Sequence, residues 1–241
     1  MSPFLRVLEN EAQLAALSFM ALVYLLRVAW IMSFRRRRDY TRPVGSRSLG
    51  ALRSLGNIAM PWAMESTRRH LFFYLQFVVF HLGVTAAITL SFVIPYAPGL
   101  LERGAAVAIF RLFTGAAFLV GVVRMIRRIT EPQIRVISTP DDYFSLALLA
   151  VYFAAAFWAA PNRFQASEAP LIVFFGLTAF FLVYVPFSKI SHYLYYPFAR
   201  FFLGRALGHR GALPGRRTFA PSGSPHDRRG SGVGVEERLR G

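Results

Sequence analysis

The sequence predicts an all-α membrane protein: a bundle of five transmembrane helices, N-terminus outside and C-terminus cytoplasmic. Three observations predict it. Of the 241 residues, 55% are hydrophobic and 17% charged, which leaves too little polar surface for a soluble domain of this length. Several apolar runs reach or approach the ~20 residues that cross a hydrocarbon core. The arginines collect at the ends of those runs, as the positive-inside rule requires of loops on the cytoplasmic side.

The first span is read at 11–34, "EAQLAALSFMALVYLLRVAWIMSF", with acidic residues before it and "RRRR" after it. A cleavable signal has its basic end first, so this run is read as a retained span. The second, 70–94, is stopped by Pro95, and the third, 104–126, carries "AAVAIFRLFTGAAFLVGVVRMI". The fourth, 143–160, is entered through "STPDDYF". That entry reads as a helix start: a hydroxyl cap at Ser138 or Thr139, Pro140 in the first turn, then acids at the positive end of the helix dipole. The fifth, 170–203, is longer than a bilayer needs, so its last part is expected to leave the membrane, with Pro186 and Pro197 as bend points.

Outside the spans, Lys and Arg number nine in 35–69, four in 124–135 and nine from 200 onward, against one each (Arg6, Arg103, Arg163) in the other polar segments. This asymmetry sets the expected orientation. The segment 47–64 mixes arginine with Leu, Ile, Met and Trp and is expected at the membrane interface. Residues 1–210 are read as one membrane domain and 211–241, rich in Gly, Pro, Ser and Arg, as a disordered basic cytoplasmic tail. The net charge of +16 is placed as a membrane protein places it, so nucleic acid is not the expected partner; anionic lipid is. The chain has no cysteine, which excludes cysteine-held iron–sulfur clusters, covalent c-type haem and internal disulfides. The phosphate-loop pattern is absent as well.

Histidine carries the functional signal, because it is costly in a bilayer and rarely idle there. His226 lies in the tail and is given no role. The other four fall on two of the five spans: His70 and His81 on the second, His192 and His209 on the fifth or its extension. Eleven residues turn a helix about 20° past three full turns, so His70 and His81 share a face, about 16 Å apart along the axis. The two spans run antiparallel. Two pairs, His81 with His192 and His70 with His209, could then each grip a haem iron, since imidazole suits iron. His192 and His209 are about 25 Å apart in ideal helix, so a bend at Pro197 is required. Set against this, His70 and His209 stand where ordinary interfacial histidines stand, and a mid-span His81 also serves as a proton relay or a helix–helix bond.

Three segments, "HLFFYLQFVVFHLG" from 70, "STPDDYF" and "SHYLYYPFARFFLGRALGH", resemble the gamma subunit of respiratory nitrate reductase. They resemble more closely the b-type cytochrome subunits of sulfite-reductase-associated and heterodisulfide-reductase-like complexes. The likeness covers roughly residues 10 to 210, and each histidine spacing differs from the nitrate-reductase pattern by a single residue. It implies two b haems, or one, with axial ligands His70, His81, His192 and His209 paired as above. It also implies a multi-pass subunit of the cytoplasmic membrane that passes electrons between the quinone pool and an iron–sulfur partner subunit.

Two further residues are weighed. Arg111, inside the third span, could face haem propionates or snorkel to the outer surface. Lys189, three residues before His192, could meet a quinone carbonyl or a propionate, or be an interfacial lysine. Gly83 and Gly115 give room for a porphyrin plane or pack helices. Two other functions stay open at this point: a proton channel or transporter with a histidine relay, and a membrane anchor without redox work.

Overall fold

In the computed structural model, residues 1–34, 39–60, 62 and 65–212 are described, and among them every regular element is helical. The elements are α1 (Pro3–Glu9), α2 (Glu11–Ser33), α3 (Arg47–Ala59), α4 (Glu65–Arg69), α5 (Leu71–Tyr96), α6 (Gly104–Thr130), α7 (Pro132–Ile137), α8 (Pro140–Ala159), α9 (Ala169–Tyr184) and α10 (His192–His209). The expected tail lies outside the described residues from 213 onward.

Five helical stretches are long and apolar enough to cross a membrane: Pro3–Ser33, Leu71–Tyr96, Gly104–Thr130, Pro140–Ala159 and Ala169–Phe187. The first starts earlier than residue 11 because α1, capped by the Ser2 hydroxyl that accepts from Leu5 N–H at 3.2 Å, leads into α2. The fifth ends at Phe187, well short of residue 203. Pro186 follows Val185 there, and two short turns of 3-10 helix replace the α-helix before α10 begins. Proline cannot supply the N–H that would continue the ladder. Pro197 is accommodated inside α10 without ending it.

The start of α8 is as the sequence reads. Thr139 and Asp142 form a reciprocal capping box, Pro140 opens the first turn, and Asp141 and Asp142 follow. The spans pack in the order α2, α9, α8, α6, α5, so the first span lies against the last. Small residues bring the helices close. A Cβ on Gly83 of α5 would collide with Ala117 of α6 and stand 3.0 Å from the Phe113 carbonyl oxygen. Gly115 meets the ring of Phe157. Both glycines therefore pack helix on helix, as small residues do where lipid offers no hydrophobic drive between spans. The core so formed includes Leu90, Ala117, Phe153, Ala156, Phe174 and Phe175. Most other apolar side chains of the spans, such as Leu25, Phe72 and Leu119, are exposed and suited to lipid.

One end of the bundle carries Arg124, Arg127, Arg128, Asp142 and Lys189 and is here termed the basic end. Beyond it α3 packs along α10. Gly50 faces Gly204 and Gly208, two small residues one turn apart, and a Cβ on Gly50 would lie 2.6 Å from Gly208 Cα. Arg200 Nε also donates to the Ser54 carbonyl at 3.2 Å. The 47–64 segment thus has a partner within the chain, while Leu49, Leu52 and Ile58 on it remain exposed.

Candidate functional site

The turn before His192 is fixed by the first turn of α8. Lys189 N–H donates to Asp141 Oδ2 at 3.2 Å, and Lys189 Nζ donates to Thr139 Oγ1 at 2.8 Å and Asp142 Oδ2 at 2.7 Å. Asp142 is the acid of the capping box, so the cap and the ion pair share one carboxylate. Lys189, a sequence candidate for a quinone or propionate, is thereby engaged with α8.

His192 is exposed, and its Nδ1 lies 3.1 Å from the Lys189 carbonyl oxygen. That carbonyl can only accept, so Nδ1 carries the proton and Nε2 keeps a free lone pair. Metal-bound imidazoles are anchored in this way. His81 is held likewise, Nδ1 on the Phe77 carbonyl at 2.8 Å. His70 lies between α4 and α5 with its ring 6.2 Å from that of Phe73, and its carbonyl accepts from Tyr74 N–H at 3.1 Å.

His209 is different. It is 3% exposed. Its Nδ1 accepts from Arg47 Nε at 3.1 Å, and its Nε2 donates to the Thr41 carbonyl at 2.9 Å. Its own carbonyl accepts from Val44 and Gly45 N–H at 2.9 and 3.2 Å. Both ring nitrogens are spent, so an iron ligand role for His209 requires Arg47 and Thr41 to be given up.

Levels along the bundle follow from the contacts. Phe80, next to His81, meets Phe153 edge to face at 5.2 Å and touches Gly121, which itself lies against Ala150. Ala150 is ten residues into α8 from Pro140, about 15 Å of helix rise. His192 sits at the start of α8, so His81 lies about 15 Å farther from the basic end. A clamp on one metal needs two nitrogens about 4 Å apart, from two bonds of about 2 Å. The expected His81–His192 pair is therefore not level here, because the break at 185–191 moves α10 past the end of the bundle and onto α3.

His70 is at the right level for His192. Arg127 covers the Phe73 ring at 4.4 Å, and its neighbour Arg128 donates to Ser138 Oγ at 2.5 Å and lies 3.9 Å from Asp142. The first turn of α5 thus shares the level of the Asp142–Lys189 pair. α8 touches α5 on one hand and the Lys189–Ser191 turn on the other. His70 and His192 therefore share a level, with α8 between the elements that carry them. Among the described residues His81 has no histidine at its own depth.

Arg111 does not join this end. Its Nε donates to the Phe157 carbonyl at 3.2 Å and its guanidinium lies over the Phe157 ring at 5.0 Å, near the far end of α8. The cation beside His192 is instead Arg27 of α2. It shares a groove of about 900 Å³ with His192, Lys189 and Tyr195. Arg27 was visible in sequence as a charge inside an apolar run. Its place beside His192 depends on α2 packing on the last span.

No family model matches the chain. A protein of Nitratidesulfovibrio vulgaris (strain Hildenborough), described only as "Protein", is 28% identical to it over 177 residues, 69% of this chain and 76% of that one.

Proposed function

We propose that the chain is a membrane-anchored b-type cytochrome subunit, holding haem between His70 and His192 and passing electrons between the quinone pool and a redox partner. One observation carries the reading: two exposed histidines share the level of the basic end, one of them already in the anchored tautomer with Nε2 free. The asymmetry of Lys and Arg supports an external N-terminus and a basic end at the cytoplasm, in the cytoplasmic membrane. A cytoplasmic iron–sulfur subunit is the partner the reading calls for, since the chain has no cysteine to hold a cluster.

Haem, when bound, supplies one-electron redox chemistry. The chain's residues do the rest. The Lys189 carbonyl fixes the tautomer of His192 and raises its basicity. The bond from Lys189 N–H to Asp141, in the first turn of α8, holds that carbonyl in place.

The test is a reduced-minus-oxidised spectrum with a pyridine haemochrome count on purified protein. The expected result is a b-type band and about one haem per chain. His70→Ala and His192→Ala should each remove it, and His209→Gln should keep it. Absence of the band ends the reading. Loss of the band in His209→Gln, with His70→Ala silent, replaces the His70–His192 pair.

A further inference from the structure

A second groove lies next to the one that holds His192. It runs between α2 and α9, about 510 Å³ in volume, and is lined by Ala12, Ala15, Ala16 and Phe19 from one helix and by Phe180 and Val183 from the other. Phe19 of this furrow lies 6.2 Å, ring to ring, from Phe187, which lines the polar groove. The two thus adjoin at this aromatic pair, the apolar one toward the middle of the bundle and the polar one at the basic end. Helices α2 and α9 leave the furrow open because alanines line the α2 side. Larger residues there would close it.

The polar end holds a cation in want of an anion. Arg27 lies over the rings of Phe187 and Tyr195, at 5.3 and 6.0 Å, and donates from Nη1 to the Tyr195 hydroxyl at 2.7 Å. A guanidinium has five N–H donors, and no carboxylate stands within ion-pair reach of this one among the described residues. Asp141 also lines the groove, but it is occupied. Its Oδ1 accepts from the Tyr184 hydroxyl at 2.5 Å and from Ser145 Oγ at 3.4 Å, and its Oδ2 accepts from Lys189 N–H. Lys189 Nζ is likewise taken by Asp142 and Thr139. Arg27 is the groove's unpaired charge.

We propose that an anionic glycerophospholipid binds here, its phosphate on the Arg27 guanidinium and Tyr195 hydroxyl and one acyl chain in the furrow between α2 and α9. A phosphate oxygen pair matches the planar fork of arginine. The attached chain explains why an open apolar furrow leads away from that fork within a membrane. A neutral prenyl quinone would fit the furrow and leave the guanidinium without its counter-charge. The site stands apart from the haem reading: it needs neither His70 nor His192 as a ligand.

The experiment reconstitutes the full chain in nanodiscs of phosphatidylcholine with and without phosphatidylglycerol and measures retained lipid by native mass spectrometry. Phosphatidylglycerol should be retained in preference to phosphatidylcholine. Arg27→Gln should weaken that retention about tenfold, the loss of one charged hydrogen-bonded contact. Arg27→Lys should recover part of it. Ala15→Leu, which narrows the furrow and leaves the cation in place, should weaken retention as well, and it tests the site even if Arg27→Gln proves unstable. His70→Ala, which removes the other proposed haem ligand and lies outside both grooves, should leave retention unchanged, which separates a failure here from a failure of the haem reading. Equal retention of the two lipids, displacement by a neutral quinone, or inorganic phosphate binding as tightly as the lipid would each overturn the proposal.

Discussion

Helix α10 begins and ends with histidine. At its first residue the ring of His192 is exposed, one nitrogen tied to the Lys189 carbonyl and the other free. At its last residue the ring of His209 is buried with both nitrogens engaged, by Arg47 and by the Thr41 carbonyl. A free nitrogen on an anchored ring can take a metal. A ring bonded at both nitrogens closes a structure. The difference teaches that residue type and spacing alone do not assign a ligand, because the unspent lone pair decides. The surroundings agree with this division. His192 borders a groove with cations, whereas His209 is clasped by the strap of residues 39–47 where α3 and α10 meet through glycine.

The strongest way to break the comparison is to separate α3 from α10. In Gly50→Leu the new side chain meets the Gly204 carbonyl and Gly208 Cα, which are backbone and cannot swing aside. A cost of about 3 kcal/mol or more is expected from such overpacking. It should appear as a lower melting temperature in detergent and as protease cleavage within 39–60. A haem band that survives the change would place the ligands at the His192 end, and a band lost with α3 would tie them to the His209 end.

The next effect belongs to His209. His209→Ala leaves the Thr41 carbonyl and Arg47 without partners in a buried place, a cost of about 2 kcal/mol in stability. His209→Gln offers one donor and one acceptor again and should recover most of it. Chemical unfolding followed by tryptophan fluorescence reads both. If His209 were an iron ligand, the two variants would lose haem alike.

Lys189 sharpens the other end. Its side chain is 54% exposed, so its ion pair with Asp142 is screened and contributes about 1 kcal/mol or less. Lys189→Met should therefore lower stability slightly, with less dependence on salt than the parent shows. His192 is anchored by the backbone carbonyl of the same residue, so haem content should not change.

Much of the fold was legible in the sequence. The apolar runs gave all five spans, and the "STPDD" entry gave the start of α8 to the residue because cap, proline and acids are local chemistry. The end of the fifth span was less legible. Apolar residues resume after the polar "SKISH" and run on to Leu203, so Pro186 and that stretch read as a bend in one long span. That break sets where His192 lies along the bundle. Helical phase placed His70 and His81 on one face of α5, but the depth of His192 was reckoned as though α10 ran on beside α5. The contact that prevents this joins Gly50 to Gly204 and Gly208, residues far apart in the chain. Small residues show in a sequence, but their partners do not. Arg27 and Arg111 looked alike as single charges in apolar runs. Only the packing of α2 on the last span separates the one beside His192 from the one beside Phe157.

The smallest effect tests the strap through pH. Asp39 accepts from the Thr41 hydroxyl and N–H at 2.7 and 3.1 Å and from Arg210 Nε at 3.3 Å, so it joins the strap to the residue after α10. The bonds from Thr41, with the nearby Arg210 charge, hold its carboxyl at about 2. An unfolded aspartate titrates near about 3.9. The sign follows: a depressed folded value stabilises the strap above about pH 4, and that contribution is lost as pH falls through about 2. Glu131, held down by Arg127, and Glu168, held down at the N-terminus by Ser2, also titrate in acid. The quantity to measure is therefore the difference between parent and Asp39→Asn. Proteolysis within 39–47 should be faster in Asp39→Asn near neutral pH, and the two rates should converge as the parent is acidified. Cleavage that stays slow in Asp39→Asn near neutral pH, or rates that remain apart in acid, would mean that Asp39 does not hold the strap.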